Sequence, residues 1–241
     1  MSRPNPTRAE IAANAGREFV LTTVLIFTVV TIVRWLAGPG SALAIGDPTV
    51  LFAVAGLLVA ILIAGLMYSP PGRRSGGHMH AGVSVFVWLN GGLSGAAVVP
   101  YIVAQLIGSV AGAGLARLVW GSAVEDIGYA AVRPEPGLGA VGLVLAEAIP
   151  LLVIFTAVTP CLSRPARRKF IPVVIGVGVG LTIALLAGIS GASINPARQL
   201  GPALLSGQTT YLWIYLIVPV VAPTLVALAV RARPSARPST V

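Results

Sequence analysis

Long apolar runs, nearly free of charge, alternate along the chain with short breaks that hold most of its charged residues. The apolar runs lie near Phe19–Leu36, Val50–Tyr68, Ser94–Trp120, Gly139–Thr159, Ile171–Ile189 and Thr210–Val230. Each has about the 20 residues that a helix needs to cross a hydrocarbon core. Two further apolar pieces, Ala81–Leu89 and Pro196–Leu205, are too short to cross alone, at roughly 14 Å by helical rise. Lying beside Gly, Pro and His, they suit re-entrant half-helices, because interrupted backbone at membrane depth must line a cavity or be buried in protein. The pattern predicts an all-α membrane protein of six spans and two half-spans.

Composition agrees, with 56% hydrophobic residues, 10% charged and a mean hydropathy of +0.91. The net charge of +9 does not indicate a nucleic-acid partner, because basic and aromatic residues are not interleaved and the charge is sorted between apolar blocks. With six crossings, both termini share a side. That side receives Arg3, Arg8, Arg17, Arg73, Arg74, Arg164, Arg167, Arg168, Lys169, Arg231, Arg233 and Arg237, which is 12 of the 16 basic residues. The opposite loops hold Asp47, Glu125, Asp126 and Glu135, with Arg133 among them. The excess of positive charge predicts cytoplasmic termini. Lys169 is the only lysine, a usage that suits a GC-rich bacterial genome, and we expect a multi-pass protein of the plasma (bacterial inner) membrane. A cleaved leader over Phe19–Val33, with Ala42-Leu43-Ala44 as its cleavage site, is an alternative, but its removal would leave five spans and an unpaired first half. Residues 1–16 and 232–241, rich in polar residues, Pro and Arg, read as disordered cytoplasmic tails around a single domain, 17–231.

The chemistry concentrates in Ser190-Gly191-Ala192-Ser193-Ile194-Asn195-Pro196-Ala197-Arg198. Asn is among the best helix N-caps and Pro the best-tolerated first helical residue, so Asn195-Pro196 marks a helix start. Inside a bilayer such a start aims about half a positive charge and unpaired N–H groups at whatever precedes it. Arg198 adds a fixed charge, and an intramembrane Arg is costly enough to mark a functional position. The spot repels cations and offers donors to neutral molecules. Ser75-Gly76-Gly77-His78-Met79-His80-Ala81-Gly82 parallels it, and each half opens with a helix carrying a lone acid, Glu18 or Glu147. Three spans per half require the second half, about 139–231, to insert upside down relative to the first, about 17–120. Inverted repeats place their site at the interface near the midplane, with half-helix starts pointing at it.

These residues, with Tyr101-Ile102-Val103-Ala104-Gln105 and the run from Ser190 through Leu204, resemble the major intrinsic protein family of aquaporins and aquaglyceroporins over nearly the whole chain. The resemblance implies a right-handed bundle of six tilted helices and two half-helices, assembled as a homotetramer in membrane lipid with one pore per subunit. It implies that His80-Ala81-Gly82 and Asn195-Pro196-Ala197 meet in the pore, that Asn195 caps its helix and donates into the pore, and that Glu18 and Glu147 hold the re-entrant loops. Gln105 is expected between helices or on a loop, and His78 as a loop-shaping residue rather than a metal ligand. Counting back from Asn195 as in the family puts Ile183 and Ala192 beside Arg198 at an outer constriction. The fourth position falls near Ala55, although Ser69–Arg74 is longer than the family's usual connection. That constriction, one Arg and three apolar walls, favours glycerol-sized or other small uncharged solutes alongside water, whereas Gln199 stands where glycerol facilitators usually carry Asp.

The first triplet departs from the family's Asn-Pro-Ala. Ala81 lacks proline's preset φ and His is a poorer cap than Asn. Two readings of His80 stand: a ring that is neutral at pH 7, able to bind a passing solute and to lower flux when acid charges it, or a tolerated substitution without regulatory meaning. Nothing supports catalysis or a cofactor: no Ser-His-Asp arrangement, no phosphate-binding glycine loop, no metal cluster around His78 and His80, and a solitary Cys161. The expected function is passage of water or small uncharged solutes (polyols, urea, ammonia) with exclusion of ions. A non-conducting member of the same fold and a gradient-coupled transporter are the alternatives.

Overall fold

The computed structural model describes residues 6–232, all helix, turn and loop without a strand among them. Six helices are long and apolar enough to cross a membrane: α1 (Arg8–Ala37), α2 (Pro48–Tyr68), α5 (Gly95–Trp120), α6 (Ala140–Leu162), α7 (Ile171–Leu186) and α9 (Leu212–Arg231). Between them lie a short α3 (Pro70–Ser75) and two half-length helices, α4 (Ala81–Leu89) and α8 (Pro196–Ser206). The architecture is the expected all-α bundle.

Boundaries follow from local chemistry. Helix α1 begins at Arg8, so residues 8–16, which composition assigns to a tail, are helical. Thr7 Oγ1 accepts from the Glu10 N–H while the Glu10 carboxylate accepts from the Thr7 N–H, a reciprocal cap worth about 1 kcal/mol that is short enough to be overlooked in a polar stretch. Residues 1–5 of the first expected tail and 233–241 of the second lie outside the described residues. Asp47 caps α2 ahead of Pro48. Ser69 ends α2 and caps α3, which turns Pro70–Ser75 into a helical turn rather than an open loop.

Bare backbone brings the long helices together. A Cβ on Gly56 would lie 2.4 Å from the Gly180 carbonyl oxygen, and one on Gly180 2.6 Å from that of Gly56, so α2 and α7 touch main chain to main chain. Gly108 and Gly112 do the same for α5 against α1, their Cβ positions 2.7 and 2.5 Å from the Phe19 and Thr23 carbonyl oxygens. Small residues at this spacing are how helices approach where lipid removes any hydrophobic drive between them. Helix α8 docks on α5 through Ser109, whose hydroxyl donates to the Ala197 carbonyl and accepts from the Gly201 N–H.

Candidate functional site

Two buried carboxylates organise the loops that precede α4 and α8 through three equivalent contacts each, and Glu18 has a fourth, from Gln105. Glu18 Oε1 accepts from Ser75 Oγ (2.7 Å) and the His78 N–H (3.0 Å), and its Oε2 from the Met79 N–H (2.7 Å) and Gln105 Nε2 (2.9 Å). Glu147 Oε1 accepts from Ser190 Oγ (2.8 Å) and the Ser193 N–H (3.2 Å), and its Oε2 from the Ile194 N–H (2.6 Å). Tyr101 Oη donates to the Ser75 carbonyl and Tyr215 Oη to that of Ser190. Both carboxylates are fully buried, and charged acceptors with several donors are the arrangement that offsets so large a desolvation cost. Drawing successive N–H groups toward one acid bends the loops through left-handed backbone. Met79 and Ile194, the equivalent residues, have φ of 48° and 41°. For a β-branched Ile that conformation is strained and persists because the surrounding bonds dictate it.

The strained residues deliver His80 and Asn195 to each other. Asn195 Oδ1 accepts from the Ala197 N–H (2.9 Å), capping α8, while its Nδ2 donates to the Met79 carbonyl (3.0 Å). His80 reproduces the pattern with a ring. Its Nδ1 accepts from the N–H of Gly82 (2.9 Å) and Val83 (3.4 Å), capping α4, and its Nε2 donates to the Ile194 carbonyl (2.7 Å). The neutral tautomer protonated on Nε2 satisfies every one of these contacts. The two helix starts are therefore stitched by a crossed pair of hydrogen bonds, each cap reaching the carbonyl just before the other. Both ring nitrogens are committed to backbone, so His80 has no free donor for a solute, which corrects that expectation. Asn195 keeps one amide hydrogen beyond the bond to Met79. Gly82 belongs to the same solution: a Cβ there would lie 2.1 Å from the Pro219 carbonyl oxygen and 2.9 Å from His80 Cε1.

A cavity of about 530 Å³ runs past this junction. His78, His80 and Asn195 line it, and so do Ala55, Ile183, Ala192 and Arg198. Ala81, Gly82, Pro196 and Ala197 do not; they are buried in the first turns of α4 and α8. Glu18, Glu147 and Gln105 lie behind the wall, Gln105 Nε2 also donating to Ser84 Oγ. His78 Nδ1 sits 3.0 Å from Ser84 Oγ, its ring tilted against Tyr101, within the loop framework. Arg198 Nη1 is buried without a protein partner among the described residues. The carbonyls of His78, Ala192 and Ser193, all cavity-lining residues, likewise take no donor among the described residues.

Sequence reasoning missed part of this wall. Phe52, one turn from Ala55, lines the cavity, and Gly188 leaves the ring its space, since a Cβ there would lie 3.3 Å from Phe52 Cε2. The loop between α5 and α6 also enters the cavity wall, with Val132, Arg133 and Glu135 lining it. Gln199 holds that loop. Its Oε1 accepts from the Val132 N–H (3.0 Å) and its Nε2 donates to the Val132 carbonyl (2.8 Å), while the Glu135 N–H donates to the Ile189 carbonyl. A buried Gln one residue after the Arg was the available signal.

A family model described as "Major intrinsic protein" matches residues 6–230. The chain is 37% identical over 179 residues to "Probable aquaporin AqpM" of Archaeoglobus fulgidus, covering 72% of either protein. It is 33% identical over 227 residues to "Probable aquaporin TIP2-2" of Oryza sativa, covering 89% of this chain and 84% of that one. Among solved structures, the aquaglyceroporin from Plasmodium falciparum superposes with a TM-score of 0.69 at 22% identity, over 90% of this chain and 94% of that one, a likeness of fold.

Proposed function

The chain belongs to the major intrinsic protein family, whose members are passive channels and not enzymes, and from that premise we propose that it conducts water and small uncharged solutes while excluding ions and protons. The observation that carries the reading is the crossed His80–Asn195 junction beside the 530 Å³ cavity. Helices α4 and α8 both begin there, so two positive dipole ends converge on one point, with Arg198 further along the wall. The fully buried acids, Glu18 and Glu147, face the loops and not the cavity. A cation would meet positive potential with no carboxylate at depth. A neutral molecule finds the spare Asn195 N–H, the unpartnered Arg198 Nη1 and carbonyl oxygens of the loops. Selectivity by pore width, lining hydrogen-bond groups, an Arg and half-helix dipoles is the established account for aquaporin-type pores.

His80 and Asn195 form the waist, with Ala81, Gly82, Pro196 and Ala197 behind them in the first turns of α4 and α8, Ala55, Ile183, Ala192 and Arg198 form the selectivity filter, and Glu18, Glu147, Gln105 and His78 the loop support. The one domain, 17–231, has inverted halves, about 17–120 and 139–231, sits in the plasma (bacterial inner) membrane with cytoplasmic termini, and works as a homotetramer. Three small or apolar filter positions leave room for a polyol beside the guanidinium. Proteoliposomes challenged in turn with glycerol, urea and ammonia gradients test this. Uptake of at least one solute above empty vesicles supports the wide filter; strict exclusion of all three overturns it. Arg198→Val should relax the exclusion of charged or larger solutes, and unchanged selectivity would remove Arg198 from the filter.

A further inference from the structure

A second cavity, of about 660 Å³, opens on the outside of the bundle between α6 and α9 and shares no wall with the first. Leu152, Thr156 and Pro160 line one side, and Leu225 and Ala229 the other, with Arg164 at the lip. From Leu152 to Arg164 the groove follows α6 for roughly 18 Å by helical rise. Val226, which lines it, packs in one cluster with Phe155 and with Phe86 of α4, the two rings meeting edge-on at 4.8 Å.

The groove is mostly apolar, with Thr156, Thr159 and Ser163 on its α6 side, and basic at one end. Pro160 has no N–H to give the Thr156 carbonyl, so that acceptor is left beside the groove. Ser163 Oγ donates back to the Thr159 carbonyl at the lip. Arg164 is exposed there, followed within five residues by exposed Arg167, Arg168 and Lys169, and Arg231 ends α9, its Nη1 donating to the Leu89 carbonyl. The single ion pair among the described residues is Arg117–Glu125, so no carboxylate among them neutralises this cluster. An apolar slot that ends in unneutralised guanidinium matches a molecule with a hydrocarbon tail and an anionic head. Arg is the side chain whose planar donor fork fits phosphate.

We propose that the α6/α9 groove is a binding site for one anionic phospholipid of the leaflet facing the arginine-rich ends. One acyl chain lies between Thr156 and Pro160 on one side and Leu225 and Ala229 on the other, and the phosphate rests on Arg164. The site requires only that the chain spans a membrane, so it stands or falls separately from the conducted solute.

Native mass spectrometry of the full-length, delipidated protein, titrated with dioleoyl phosphatidylglycerol or dioleoyl phosphatidylcholine, tests it. Phosphatidylglycerol should bind the wild type more tightly than phosphatidylcholine. Arg164→Gln should weaken its first binding step about tenfold, the size expected for one charge-assisted hydrogen bond. Ala229→Trp, which fills the groove from an exposed position, should weaken it comparably, while Leu118→Trp, at a lipid-facing site 84% exposed on α5, should not. Equal binding by wild type and both groove variants overturns the proposal, as does loss with Arg164→Gln alone, which would mean a basic surface without a groove. Indifference to headgroup charge also overturns it. The wild type supplies a check independent of variant folding: glycerophosphoglycerol, the headgroup without chains, should fail to displace the lipid, and effective displacement would refute the acyl-chain contact.

Discussion

Replacing His80 by Ala removes two things at once. The cap on α4 goes, leaving the Gly82 and Val83 N–H groups unaccepted, and the Ile194 carbonyl loses its donor inside the protein. A lost cap costs about 0.5–2 kcal/mol and an unsatisfied buried acceptor about 1–3 kcal/mol, so His80→Ala should destabilise by about 2–4 kcal/mol. His80→Asn is the informative counterpart. Asn195 already makes the same pair of bonds from the mirror position, at 2.9 and 3.0 Å, so an Asn at 80 should keep stability within about 1 kcal/mol of wild type. Reversible unfolding in mixed micelles gives the free energies, and osmotic shrinkage of proteoliposomes reports whether the junction still conducts. These contacts also fix the pH response. A proton added at Nδ1 would face two amide N–H groups, so the bonded ring stays in its neutral form, and flux should be flat from pH 8 to pH 5 in wild type and in His80→Asn alike. An acid-induced fall in wild type alone would restore a gating role. His80→Ala as stable as wild type, or His80→Asn as damaged as His80→Ala, would refute the crossed-bond reasoning.

Gly82→Ala should cost about 1–3 kcal/mol in the same unfolding assay, because its Cβ would lie 2.1 Å from the Pro219 carbonyl oxygen; a neutral substitution would mean that α4 and α9 are not in contact there. Ala55→Phe combined with Ile183→His should slow glycerol entry at least about tenfold while sparing water, a discrimination of about 1.4 kcal/mol or more; equal slowing of both would show that these positions do not sieve. Gln199→Leu breaks both bonds to Val132, so hydrogen exchange at the Val132 amide should quicken several-fold, and an unchanged rate would mean that the loop is held by other contacts.

The half-helices were the most legible part of the fold. The piece Ala81–Leu89, read from its length and its Gly and His neighbours, is a helix with those limits, and the start of α8 at Pro196 follows from Asn-Pro chemistry. The α1 start was hidden because an apolar run marks where lipid begins, not where hydrogen bonding does; Thr7 and Glu10 set the true boundary. At the site, the paired acids were visible as lone charges in apolar helices, but their ligands were not, since those are backbone N–H groups that any residue supplies. His80 was legible as a departure from Asn. That an imidazole can replace an amide atom for atom, Nδ1 for Oδ1 and Nε2 for Nδ2, appears only once the opposing Ile194 carbonyl is in place. The loop between α5 and α6 escaped because Val132–Pro136 has no periodicity, and its position is set by Gln199, which lies 67 residues from Val132 along the chain.

Osmotic shrinkage of proteoliposomes in an impermeant osmolyte, followed across temperature with a pH indicator trapped inside, tests the central claim most directly. Passage of neutral molecules between two opposed helix starts predicts water flow well above empty vesicles, with a low activation energy and no added proton leak. Flow no faster than empty vesicles, or flow accompanied by proton entry, would contradict it.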